Sequence, residues 1–164
     1  MTQRTRILFA VAALVLLVGA VLAVEALRRG RSGTALTPAG PGSIPIYLDG
    51  RLVGGFQPGD LERLDTVRFV EAEEGKTEEG WLLRDVILLY VQPESLQHDS
   101  RITVSSTSRD KSAQATWAEA DEVSNFVMFD LSNRGTLKFV SAMERLGTRD
   151  KWVHDADRID VESP

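Results

Sequence analysis

The sequence predicts an α+β domain, mostly β, behind one apolar N-terminal segment. Three observations predict it. Short strand-like stretches recur from Ile44 to Val161, separated by turns rich in Gly, Pro, Asn or Asp. Helical character is limited to Gly80–Val91, a short acidic stretch from Ala118 and a brief turn from Asp60 to Leu64. One uninterrupted apolar run, Ile7–Val24, stands apart from both. Many short strands with one or two helices indicate an α+β architecture. With 164 residues, two full domains are nearly excluded, and 43% hydrophobic with 26% charged residues excludes wholesale disorder.

The run ILFAVAALVLLVGAVLAV (residues 7–24) carries no charge. At about 1.5 Å per residue it reaches roughly 27 Å, close to the hydrocarbon thickness of a bilayer. Two readings compete: a signal anchor over residues 7–27 that stays in the membrane, or a signal peptide cut after Ala23 or Ala26. The length of the apolar core favours the anchor. A tail of residues 1–6 holds Arg4 and Arg6, and Arg28, Arg29 and Arg31 follow, so the positive-inside rule is almost balanced. A short tail before a whole domain is usually N-inside, which places the domain outside the cytoplasm. Residues 28–43 lead away from the segment, and SGTALTPAGPGS has the composition of a linker.

Residues 1–31 carry five Arg and one Glu, so 14 basic and 23 acidic side chains remain beyond them, a net of −9. An acidic domain repels phosphate backbones, so no nucleic acid is expected as a partner. The chain has no cysteine, which excludes disulfides, thiolate metal sites and a cysteine nucleophile. Its two histidines, His98 and His154, lie far apart in sequence, so a His-rich metal site is not expected.

The elements follow in order over residues 44–162. Ile44–Leu48 and Leu52–Phe56 flank Asp49-Gly50, a pair that supplies the positive φ angles of a tight hairpin turn. Asp60 is the expected N-cap of a short helix through Leu64. Thr66–Ala72 alternates as a strand, and Glu73–Glu79 reads as a polar acidic turn. Leu82, Leu83, Val86, Ile87 and Tyr90 share a helical face, so Gly80–Val91 reads as a core helix beginning at Trp81 and ending before Pro93. Ile102–Ser106 and Ala113–Trp117 are strands about the polar loop SSTSRDKS. Phe126–Asp130 and Leu137–Ser141 flank the turn Ser132–Gly135, and a last strand lies near Arg158–Val161.

Four passages in this order resemble the oxidoreductase molybdopterin-binding domain of the sulfite-oxidase type. They are IYLDGRLVGGFQPGDLERL, EEGWLLRDVILLYV, DSRITVSSTSRDKSAQATWAEA and RGTLKFVSAMERLGTRDKWVHDADRIDV. The second is similar to that family's Gly-x-x-Leu-Arg-Asp-Leu-Leu helix, and the fourth to its Gly-x-Leu-Arg-Leu-Val strand, Trp-Val pair and closing strand. The resemblance covers about residues 44–162 and implies the family's fold. It departs at one point: the family's enzymes hold molybdenum through a cysteine thiolate, a soft ligand, and this chain has none. The resemblance therefore implies recognition without molybdenum redox chemistry, with a pterin as the implied ligand, as in small exported relatives without that cysteine that act with a membrane signalling partner.

The candidate ligand-binding residues are Ser106, Arg109, Arg134, Trp117 and Trp152. Ser106 and Arg109 belong to a loop that concentrates hydroxyls and cations, suited to a phosphate, a carboxylate or a polar heterocycle; the plainer alternative is a solvated turn. By the resemblance, this loop occupies the region of cofactor contacts. Arg134 offers a planar fork to the same ligand, or else sits in a simple β-turn before Gly135. Trp117 and Trp152 are the candidates to stack a planar ligand, with core packing the alternative. Trp81, His98 and the acids Glu71, Glu73, Glu74, Glu78 and Glu79 read as structural or solvated. His154 beside Asp155 and Asp157 reads as a solvated polar group. The expectation is a single-pass protein of the cell membrane, anchored through residues 7–27, whose extracytoplasmic domain binds a small planar ligand or a membrane protein partner without catalysis. The alternatives are a redox enzyme holding a molybdenum cofactor without a cysteine, and a structural subunit of a membrane complex.

Overall fold

The computed structural model describes Gly40 and residues 42–164. The expected membrane segment and most of the linker lie outside the described residues. Within them, no helix is long and apolar enough to cross a membrane.

The described chain is mostly β, in two sheets. The larger sheet holds β1 (Ile44–Leu48), β2 (Arg51–Phe56), β5 (Arg101–Ser106), β6 (Lys111–Thr116) and β9 (Arg158–Glu162), in the order β2-β1-β9-β5-β6. Its β1–β9 pair is parallel and its other pairs are antiparallel. The smaller sheet is antiparallel throughout: β3 (Thr66–Val70), β4 (Thr77–Leu82), β7 (Met128–Leu131) and β8 (Leu137–Val140), in the order β3-β4-β7-β8. Two short helices complete it, α1 (Leu83–Leu88) and α2 (Trp117–Asp121).

Strand alternation places the cores. In the larger sheet Ile44, Ile46, Ile102, Val104, Ile159 and Val161 point one way, into the main core. Trp81, Phe129, Leu137 and Phe139 of the smaller sheet and Leu83, Val86 and Ile87 of α1 belong to the same core. Full burial of each such aliphatic or aromatic side chain contributes about 1.5–3 kcal/mol. The alternate residues of the smaller sheet, Phe69, Leu82, Met128 and Val140, face the other way and form a second, smaller cluster with Trp152.

The first hairpin follows its sequence signal. Asp49 and Gly50 both take positive φ, at 49° and 74°, as a two-residue turn between right-twisted strands requires. A bulge follows, since Ile46 pairs with Gly54 but Tyr47 with Leu52.

Several boundaries differ from expectation. Gly80–Leu82 is strand, and the helix is confined to Leu83–Leu88. Gly80, Trp81 and Leu82 pair with β3 or β7 on either side, and both faces of the sheet are buried there, so an apolar run that mimics a helix is a central strand. Gly80 is required: a Cβ there would lie 1.8 Å from the Phe129 carbonyl oxygen. Trp81 thus sits in a strand, its indole N–H buried without a partner. Glu78 and Glu79 belong to β4, so the acidic turn ends at Lys76. Asp60 is not an N-cap. It lies at the third position of a 3-10 turn (Pro58–Arg63), where its Oδ2 accepts from the Gln57 N–H at 2.8 Å. The strand expected at Phe126 starts at Met128 because Phe126 takes a left-handed φ of 45°.

Candidate functional site

Three loops meet beside the open ends of β5, β8 and β9. The β5–β6 turn brings Arg109, the β7–β8 turn brings Arg134 and Thr136, and the loop before β9 brings Asp155 and Asp157. Asp155 is their hub. Its Oδ2 accepts from Arg109 Nε at 2.7 Å, and the Arg109 Nη2 lies 2.6 Å from the same oxygen. Its Oδ1 accepts from Thr136 Oγ1 at 2.7 Å and from Arg134 Nη2 at 3.4 Å. The hydrogen bonds from Thr136 and Arg109 hold the Asp155 carboxyl below the usual carboxylate range, and the charges of both arginines act in the same sense. Asp155 reaches this position through a left-handed φ of 55°, a conformation that Asp and Asn tolerate better than most residues.

Asp157 secures the neighbouring turn, accepting from the Thr107 N–H at 2.8 Å and from its hydroxyl at 3.3 Å. Main-chain bonds fix the loop further: Ala156 N–H to the Leu137 carbonyl and Asp157 N–H to the Ser105 carbonyl, both 2.9 Å. Beside this network lies a cleft of about 310 Å³. Ser108, Thr136, Asp155 and Asp157 supply its polar wall, and Ile44, Pro58, Leu137 and Ala156 its apolar wall. Such a mixture of apolar lining and a few convergent polar groups is the usual make-up of a small-molecule site.

The structure brings together two of the five expected site residues. Arg109 and Arg134 meet at Asp155, with side chains 42% and 65% exposed. Ser106 is buried, and its hydroxyl lies 3.2 Å from that of Ser108, which lines the cleft. The two tryptophans do not join them. Trp117 is half-buried at the far end of β6, packed against the main core with its main-chain N–H bonded to the Ser100 carbonyl at 2.8 Å. Trp152 is 1% exposed and belongs to the second core cluster. Its indole N–H donates to the Leu146 carbonyl at 3.0 Å. Lys138 Nζ lies 5.0 Å from its ring centroid and the Arg149 guanidinium 5.9 Å, so a stacking ligand finds no free face.

Sequence reasoning missed Asp155 and Thr136. The available signal was the pair of acids at 155 and 157 just before the last strand; reading that stretch as extended hid the left-handed turn that aims Asp155 inward. His154, its neighbour, is partly buried. Burial first, then the charges of Lys138, Arg109 and Lys111, lower its pKa from the ordinary histidine value. The acidic run is structural at its start. The buried Glu71 carboxylate accepts three main-chain N–H groups, from Glu73, Glu74 and Lys76.

Among the described residues no three His, Cys, Asp or Glu side chains gather in a way that could hold a metal ion. The donors at the cleft are hydroxyls, carboxylates and guanidiniums, which do not fit a molybdenum centre gripped through sulfur. No protein-family model matches the chain, and no curated protein is a significant match to it.

Proposed function

We propose that the chain is a membrane-anchored, extracytoplasmic binding domain that recognises a small, planar, polar molecule of pterin type without transforming it. One observation carries this reading: Arg109 and Arg134, from two separate turns, converge on Asp155 at the rim of the cleft of about 310 Å³. Guanidinium forks and a carboxylate are complementary to the mixed donor and acceptor edge of a heterocycle such as a pterin, and Ile44, Pro58 and Leu137 offer its ring an apolar floor. The apolar run Ile7–Val24 supports membrane attachment, and the four passages resembling the molybdopterin-binding domain support the choice of ligand.

Calorimetric titration of the full-length chain in detergent solution against a panel of oxidised and reduced pterins tests this. The expected result is measurable heat, together with stabilisation by about 2.7 kcal/mol at a ligand concentration 100 times the dissociation constant. Both should be weakened by Arg134→Ala. Absence of heat and of thermal shift across the whole panel overturns the reading.

A further inference from the structure

A second cluster of charge lies inside the smaller sheet, away from the cleft. Glu78 on β4, Asp130 on β7 and Lys138 on β8 point to the face that Trp152 covers. Lys138 Nζ lies 2.6 Å from Glu78 Oε2 and 2.7 Å from Asp130 Oδ2. The three side chains are only 13%, 6% and 17% exposed, in the order Lys138, Glu78, Asp130. Two carboxylates thus share one ammonium in a largely dry place, and a surplus of one negative charge is costly there.

The surroundings do not cancel it. The segment 141–153 packs over this face through Trp152 and brings Arg149, which lies across the indole ring and is paired with Glu74 at 2.7 Å. The Arg149 N–H donates to Glu73 Oε2 at 3.2 Å, and the Arg149 charge also reaches Glu71 and, more weakly than Lys138, Glu78. His154, next but one to Trp152, feels Lys138, Arg109 and Lys111. The near cation is therefore Lys138, with Arg149 shared among other carboxylates.

We propose that Glu78 and Asp130 form a one-proton site across Lys138, beneath the Trp152 ring, and that proton uptake there reinforces the fold in mildly acidic medium. A proton placed between the carboxylates turns their repulsion into a hydrogen bond and leaves Glu78 and Lys138 as a balanced pair beneath Trp152. Burial first, then the hydrogen bond with Glu78, pushes the Asp130 carboxyl up to about 6. Glu78 moves the other way: burial raises it, but its bonds to Asp130 and Lys138 outweigh that and keep it ionised. A carboxyl whose folded pKa lies above its unfolded value adds stability that is complete below the unfolded value and disappears as pH rises through the folded one. The folded state is therefore reinforced in mildly acidic medium and loses that contribution above neutrality.

The test is urea denaturation of the full-length chain in detergent solution at pH 5 and 7.5, for the wild type and Asp130→Asn. Asparagine mimics the protonated carboxyl, donating to Glu78 and accepting from Lys138. Relative to the variant, the unfolding constant of the wild type should fall about tenfold from pH 7.5 to pH 5. The lowered pKa of His154 works in the opposite sense and is common to both proteins, so the ratio isolates Asp130. An identical pH response in the two proteins overturns the proposal. Should the variant fail to fold, carboxyl carbon NMR of the wild type decides: a midpoint for Asp130 above pH 5 supports the site, and one near 4 sinks it.

Discussion

The two charge clusters of this protein both pair carboxylates with cations, yet reach opposite results. At Asp155 one carboxylate faces two guanidiniums and a hydroxyl at a solvated rim, and its pKa falls. At Asp130 two carboxylates face one ammonium in the interior, and the pKa of one of them rises to about 6. Donor count and burial, more than residue type, set the direction. The rim cluster keeps cationic groups exposed where a solute can reach them. The interior cluster is nearly closed to solvent.

Substitutions at four positions would break or sharpen this contrast, from the largest expected effect to the smallest. Trp152→Ala should cost about 3–5 kcal/mol, because it empties the second core and lets water onto the interior cluster. Calorimetric or urea unfolding measures the loss, and the Asp130 carboxyl should then titrate closer to its ordinary value. Lys138→Met should cost about 3 kcal/mol at pH 7.5, since two buried carboxylates lose their cation. That cost should shrink at pH 5, where a proton substitutes for the ammonium; a cost independent of pH would contradict a cluster of two acids sharing one cation.

At the rim the effects are smaller. Asp155→Ala should cost about 1–2 kcal/mol, part of it from forcing alanine into the left-handed region. Asp155→Asn, which tolerates that backbone, should cost under about 1 kcal/mol. Thermal unfolding of the pair separates backbone from charge, and equal losses would place the whole effect in the ion pairs. Arg134→Gln should change stability by no more than about 0.5 kcal/mol, because its contact at 3.4 Å is long and solvated. A large loss there would show that Arg134 is structural and not held in reserve for a ligand.

Legibility in the sequence followed the range of the interactions. The Asp49-Gly50 hairpin, the strands about Thr107–Asp110 and the turn at Gly135 were readable, because each depends on residues next to one another. The Gly80–Leu82 strand was not. Its apolar spacing is compatible with a helix face, and only partners some fifteen and fifty residues away make it a central strand. In the candidate site, Arg134 was singled out by side-chain chemistry, and Ser106 and Arg109 by that chemistry together with the family resemblance. Trp152 was singled out as an aromatic ring able to stack a ligand, yet the fold spends that ring on a core and on covering Lys138.

By itself, the sequence determined an acidic, cysteine-free, mostly β chain with an apolar leading segment, since composition, turn residues and two-residue alternation act over short distances. Tertiary structure alone decided that Arg109 and Arg134 share Asp155, and that Glu78, Asp130 and Lys138 meet beneath Trp152. Those encounters join strands and turns far apart in the chain, and Coulomb and desolvation energies depend on distance in space and on exclusion of water, neither of which is written in residue order.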